Sequence, residues 1–452
     1  MQRHAVLRPA AALDEVDQDT QVRFTGDNIV TDIAAPAQGL IRAQIEAITR
    51  DAILAVAIDA ALTQNRCNVA CVAQSDDEEC GGLIYSPDMI RHSAILITAA
   101  AMLLEAAGSG HPERRLYVTD KTGISVYDID NGHKFLRKID IPDSGDYKGI
   151  AASTALGKLY VTSYKKDDLI CLDLKTESIL WRKNDLGKYA DSMMLTPDGK
   201  TMYLPFRDEV FWRVLNADNG SILTTINTER GKQYNVNPIA SIGPHNTWIN
   251  PNGKRVYMEV LTVPYLYIAD ASTNQVLGKV GPFTKGLRPF AVTENDKYVF
   301  ANVDGLLGFE VAEAQPGGKM LYRVEAHTPP ERLAQVQHPP AHKPHSTPSH
   351  GINLTPDQKE IWMVDGVYGY VYVYDVTQMP PRQTASIALF RDPKDQPHPG
   401  WITFSIDGLY AYPDGGAVID TATKKVSAWI PTSEKLIEID FENGKPVQAG
   451  HR

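Results

Sequence analysis

The chain has 452 residues, 43% apolar and 22% charged, with a formal net charge of −10. It is long enough to bury a large core and too apolar for a disordered tail. The charge is unevenly placed: residues 1–108 carry 7 Arg, no Lys and 15 acidic residues, while from Ser109 onward 38 basic residues face 40 acidic ones. A nearly neutral body without a Lys/Arg cluster has no electrostatic footprint for a phosphate backbone, so nucleic acid is excluded as a partner.

Residues 1–88 read as an upstream segment outside the native mature protein. Apolar residues recur at roughly helical spacing over Leu40–Leu62, and Cys67, Cys71 and Cys80 follow a C-x3-C-x8-C pattern that matches no strong zinc or haem spacing. All 24 lysines lie beyond residue 108. That seam coincides with Met89-Ile-Arg-His92, the apolar run Ala94–Leu104 and the small-residue stretch Ala106–Gly110, the layout of a secretory signal peptide over residues 89–108. Glu105 at the end of the run is what an ordinary core helix would show instead. Translation from Met89 and cleavage near Ser109 predict a periplasmic or secreted protein with no integral membrane segment after processing. Its only cysteine would be Cys171, so no internal disulfide forms.

From Arg114 onward one unit recurs. The turns are Thr154-Ala-Leu-Gly-Lys158, Thr196-Pro-Asp-Gly-Lys200, Asn250-Pro-Asn-Gly-Lys254, Thr293-Glu-Asn-Asp-Lys297, Thr355-Pro-Asp-Gln-Lys359 and Ser405-Ile-Asp-Gly408. Proline presets φ at the first turn position and Gly, Asn or Asp accepts the tight conformation after it, so each turn reads as a hairpin. Alternating strands such as Leu159–Ser163 and Val256–Val260 follow, then a third strand ending near Asp-x-x-Asn/Thr-Gly, then a fourth. Four antiparallel strands per repeat predict an all-β fold, a β-propeller. Arg115–Asp120 opens directly on a second strand and Lys435–Phe441 is a spare strand at the other end. Pairing them gives seven blades over residues 109–452, closed by N- and C-terminal strands, at about 49 residues per blade.

Tyr117-Val-Thr-Asp120, Tyr160-Val-Thr-Ser163 and the repeated TPDGK-like turns resemble the YVTN-repeat propellers, grouped with the cytochrome-d1-like and surface-layer-type propellers of bacteria. Ser349–Asp357, Met379-Pro-Pro381, Gly400–Gly408 and Glu434–Asp440 are similar to exported members of that group with no settled activity. The resemblance implies the fold. The group spans haem enzymes, lactonases, lyases and plain binding modules, so activity has to be sought in the site.

Repeats make positions at equal distance from the turn equivalent in space. Eight residues before each turn Gly, Asp or Gln stand Gly149, Asp191, His245, Arg288, His350 and Gly400, with His398 two residues ahead of the last. These are starts of innermost strands, so their side chains are expected to converge at a channel mouth, where propeller ligands commonly bind. Two chemistries fit. His245, His350 and His398 with Asp191 could hold a Cu, Zn or Fe ion. Alternatively His245 or His350 acts as general base while Arg288 stabilises a carboxylate or enolate, as a lyase or lactonase of sugar acids requires. Trp248 and Trp401 could stack on a flat ligand, although packing is their commoner role. An inert wet channel in an envelope scaffold is the third alternative.

Turn-to-turn spacing is 54 residues before the His245 blade and 62 before the His350 blade, against 42 or 43 at its shortest, so the extra length feeds the ring. The longer insertion ends in the His- and Pro-rich stretch Gln337–His350. No CxxCH is present, which excludes covalent haem, and GxSxG, Walker and dinucleotide motifs are absent. The expected partner is a small molecule or metal ion, with no protein partner indicated.

Overall fold

A computed structural model describes residues 112–229, 243–336, 348–431 and 435–450. The upstream segment 1–88, the signal segment 89–108, residues 337–347 of the His-rich insertion and Glu434 lie outside the described residues. Among the described residues, twenty-nine strands, numbered β1 to β29 in chain order, form seven antiparallel sheets, accompanied by one short helix, α1 (Pro330–Gln335). Six sheets have four strands and the seventh has five. The fold is an all-β, seven-bladed propeller, as the repeats predict. No helix among the described residues is long and apolar enough to cross a membrane.

The innermost strands, one per blade, are β28 (Leu436–Glu442), β4 (Tyr147–Ser153), β8 (Met194–Leu195), β12 (Pro244–Ile249), β16 (Leu287–Val292), β20 (Ser349–Leu354) and β24 (Ile402–Phe404). Each predicted turn links an inner strand to the next one out. The fourth turn residue takes the left-handed conformation, at φ +69° for Gly199, +63° for Gly253, +55° for Asp296 and +60° for Gln358. The carboxamide or carboxylate just before it accepts the amide two residues further on: Lys200 N donates to Asp198 Oδ1 at 3.1 Å and Lys254 N to Asn252 Oδ1 at 2.9 Å.

The recurring aromatic of the second strand ties blade to blade. The hydroxyls of Tyr160, Tyr203 and Tyr257 donate to the carbonyls of Ala217, Ala271 and Ala314 at 2.8, 3.2 and 3.1 Å, each on the following blade. These rings are fully buried, so each phenol needs a partner; the Ala314 carbonyl also takes Arg255 Nη1 at 3.0 Å. At the ring's junction Tyr412 meets His133 Nε2 at 2.9 Å. Cys171 is buried, which pushes its thiol up to about 12 and removes it from redox chemistry.

Closure follows the expected pairing. β28 runs antiparallel to β1 (Glu113–Thr119), with Leu436 opposite Val118 and Phe441 opposite Glu113. The spare strand does not end there. β29 (Lys445–Ala449) turns back through Asn443-Gly444 and adds to the axial edge of β28, so the sheet runs β29, β28, β1, β2 (Gly123–Asp128), β3 (Lys134–Asp140). A fifth strand inside the ring was not expected from the repeats.

Candidate functional site

The ring positions lie at the start of the inner strands, at the end opposite the turns. Pairing slips there in several blades: between Pro244 and Asn246, between Leu287 and Phe290, and between Ser349 and Ile352. His245, Arg288 and His350 each fall inside such a bulge, which turns a side chain off the pleat and toward the axis. In the second blade the slip lies between Tyr147 and Gly149, so Lys148, rather than Gly149, holds the equivalent place. The eight-residue spacing misses by one there because Ser153 begins a turn that has its Gly one residue later.

Asp191 is the centre of the cluster. Its side chain is 4% exposed; Oδ2 accepts from the Tyr164 hydroxyl at 2.7 Å and lies 3.5 Å from Arg207 Nε and 3.8 Å from His245 Nε2. Oδ1 accepts from Ser192 N at 2.7 Å. Burial alone would raise the carboxyl, but the facing imidazole, Arg207, the Tyr164 hydroxyl and Lys435 outweigh it and hold it below the usual carboxylate range. Burial and the neighbouring Asp191 keep Tyr164 protonated.

His245 is buried, and its Nδ1 lies 2.8 Å from Oε2 of the fully buried Glu259. An ionised Glu259 only accepts, which favours the proton on Nδ1 and the lone pair on Nε2 toward Asp191, while Asn246 Nδ2 stands 2.6 Å from the same Nδ1. Asn246 donates to the same Oε2 at 2.8 Å. Burial drives the imidazole well below its ordinary pKa, and Arg207, Arg288 and Lys435 push the same way against the pull of Asp191, so His245 is neutral at physiological pH.

The His350 ring stands 6.0 Å from that of His245 and donates from Nδ1 to the Gly400 carbonyl at 2.9 Å. Arg288 pairs through Nε with Asp304 Oδ1 at 2.7 Å. Trp401 lies under the Lys435 ammonium, 3.4 Å from the ring centroid. Asp414 receives Gly400 N at 2.6 Å and Trp401 N at 3.0 Å; burial, partly offset by Lys435, pushes it up to about 6.

The structure therefore gathers Asp191, His245, His350 and Arg288, with Trp401 joined to them through Lys435. It does not gather the other two candidates. His398 is exposed and donates from Nδ1 to the Gly366 carbonyl at 2.7 Å. Trp248 is a core residue whose Nε1 donates to Asn250 Oδ1 at 2.7 Å. Among the described residues no three His, Cys, Asp or Glu side chains are grouped so as to hold a metal ion, the set of His245, His350 and His398 included.

Tyr164, Arg207, Glu259 and Lys435 were not found by spacing, because they stand outside the counted frame. Lys435 precedes the inner strand of the closing blade, which has no turn motif to count from. The others lie at or just beyond the ends of second strands. Beneath the cluster a cavity of about 320 Å³ runs down the channel past Ser192, Trp401, Lys435, Thr403 and Phe404 to the Thr196–Gly199 turn, a volume at the lower end for small-ligand sites.

No protein-family model and no curated protein sequence matches the chain. Solved structures do. Hydrazine synthase from Kuenenia stuttgartiensis aligns with a TM-score of 0.51 at 15% identity, covering 70% of this chain and 97% of that one. A protein of unknown function from Desulfotomaculum acetoxidans DSM 771 aligns at 0.53 and 13% identity, covering 71% and 98%. A 6-phosphogluconolactonase-like protein from Bacteroides fragilis NCTC 9343 aligns at 0.55 and 13%, covering 73% and 98%. At such identities the likeness is one of propeller fold.

Proposed function

We propose that this protein is an exported YVTN-type propeller that binds a small carboxylate-bearing ligand at the axial cluster. One arrangement supports the reading: the buried His245 and Asp191 lie 3.8 Å apart with Arg207 3.5 Å from Asp191, while Arg288, held by Asp304, and Lys435, over Trp401, stand in the same axial group. Gathering cations in a desolvated place is costly to the fold, which is the usual mark of a site arranged for a ligand of opposite charge. The neutral His245 and the Tyr164–Asp191 pair supply hydrogen-bonding groups for hydroxyls or a carbonyl on the same ligand.

Calorimetry of the mature protein against a panel of sugar acids and 2-oxo acids tests it. Saturable binding that weakens about tenfold or more in Arg288→Ala, and likewise in the His245→Ala/His350→Ala double variant, is the expected result. Absence of binding by every acid, or binding indifferent to these variants, overturns the reading. Elemental analysis of the same samples covers the metal alternative: about one equivalent of Cu, Zn or Fe, lost in the double variant, would replace the organic ligand with an ion.

The Glu259–His245 pair favours a second reading, in which the ligand is turned over. An imidazole oriented by a buried carboxylate, with Nε2 unprotonated, is the arrangement of a general base, which suits a lyase or lactonase of sugar acids. Export over residues 89–108 belongs to the proposal too; protein from the native host should begin near Ser109, and a chain beginning at Met1 would refute it.

A further inference from the structure

The cavity of about 320 Å³ under the cluster is walled along its length by strand edges. β4 and β8 each pair on one side only, which leaves their axial edges toward the channel, and Val447–Ala449 of β29 line the same space.

The direction of the β29 backbone follows from its register. Gly450 N donates to Glu438 O at 2.7 Å, and Ala449 stands opposite Ile439. On the other side of β28, Thr119 N donates to Lys435 O at 2.8 Å, and Arg115 stands opposite Ile439. Antiparallel ladders alternate bonded and unbonded pairs, so Ile439 turns its amide and carbonyl to β1, and those of Ala449 point away from β28, toward the axis. Among the described residues no backbone carbonyl takes the Ala449 amide. An unpaired amide and carbonyl on a fixed strand beside a cavity form the template onto which an extended chain adds. Such groups recur along an edge about every 6.7 Å, the repeat of two peptide units, a spacing that a single sugar ring does not follow. The depth agrees: Gly149 to Ser153 along the β4 wall is about 13 Å of strand, the span of about four extended residues. One end of this groove carries the Lys435 ammonium over Trp401, and the other reaches the Thr196–Gly199 turn.

We propose that the ligand of the axial cluster is an extended peptide with a free C-terminal carboxylate, added to the axial edge of β29 with that carboxylate at Lys435. Charge sets its direction, because the N-terminal ammonium of a peptide is repelled by Lys435 and Arg288. The peptide therefore runs parallel to β29, which itself runs from Lys445 at the turn face toward the cluster, and β29 keeps its place on β28 throughout. The inference rests on the carboxylate reading above and narrows it.

Calorimetry of the mature protein tests it with three probes: tetra-alanine, its C-terminal amide, and N-acetylalanine, which keeps the carboxylate and lacks the strand. Tetra-alanine is expected to bind about tenfold or more tighter than N-acetylalanine, and amidation to weaken it about tenfold or more. Ala449→Pro removes the axial amide but no bond of the ladder to β28, and should weaken tetra-alanine about tenfold with N-acetylalanine unchanged. Where that variant fails to fold, tetra-alanine methylated on its amide nitrogens makes the same test from the ligand's side, with a loss of about tenfold or more expected. Tetra-alanine binding no tighter than N-acetylalanine, or binding indifferent to methylation, overturns the peptide and leaves the acid reading standing. Indifference to amidation overturns the proposal as well, since the carboxylate is then not at Lys435. Binding by neither the peptide nor any simple acid overturns the acid reading and the peptide with it.

Discussion

His245 owes the orientation of its ring to Glu259. With Glu259 favouring the proton on Nδ1, the ring offers a lone pair toward Asp191; a glutamine there has an amide that can donate, and the ring is free to reverse its tautomer. Glu259→Gln is therefore expected to lower ligand affinity about tenfold while the melting temperature shifts little, read by calorimetry beside thermal unfolding. Asp414 sets the pH response. Held near 6 by burial, it is neutral below that pH and negative above it, so it cancels part of the Lys435 charge only on the alkaline side. Acid ligands should bind more tightly as pH falls through about 6, and Asp414→Asn, which still accepts Gly400 N and Trp401 N, should remove that dependence. At this scale the sequence showed half of the site. Counting back from a turn finds residues of the inner strand, hence Asp191, His245, Arg288 and His350, but Glu259 and Tyr164 reach the same place from neighbouring strands by a register that a bulge decides. His398 was misplaced for a related reason: two residues before a ring position, the loop has already turned outward to the Gly366 carbonyl.

The repeated strands have two kinds of joint, and they respond differently to change. Tyrosine tethers between blades are buried hydrogen bonds; Tyr160→Phe should cost about 1–2 kcal/mol in denaturant unfolding by stranding the Ala217 carbonyl, and Tyr257→Phe should cost less, because Arg255 Nη1 still donates to the Ala314 carbonyl at 3.0 Å. The closing blade depends on charge instead. Glu438 and Asp440 project from one face of β28, with Arg114 bonded to Glu438 at 2.9 Å and to Asp407 at 2.8 Å. Burial, and then the neighbouring Glu438, push Asp440 up to about 8 from an ordinary 3.8. The folded chain keeps this proton where the unfolded chain has lost it, so unfolding releases a proton and stability falls as pH climbs between those two values, then levels off. Melting temperatures from pH 5 to 8.5 should decline in the wild type and decline less in Asp440→Asn. A parallel decline in both would place the effect elsewhere. The tether was legible in part, since an aromatic recurs after every turn, whereas its acceptor five strands further along the chain was not. The carboxyl pair was invisible, because alternation along Leu436–Glu442 reads only as one buried face.

The whole ring was the most legible level, since six like turns at similar spacing admit few arrangements other than blades about an axis. Even the closure could be read from an unmatched strand at each end. What escaped was β29, which continues no repeat and whose residues, exposed lysine and glutamine among them, look like a tail. Removing both β28 and β29 should abolish cooperative unfolding and leave an aggregating species, because the edge of β1 is then unpaired; chevron or calorimetric analysis of a chain ending at residue 434 would show it. The pairing of Glu113–Val118 with Leu436–Phe441 also imposes an order of manufacture. The first blade begun is the last completed, and its missing strand leaves the ribosome only when nearly all else has been made. Until then the nascent chain has no closed ring to resist being pulled straight, which is what the export proposed above would require of it.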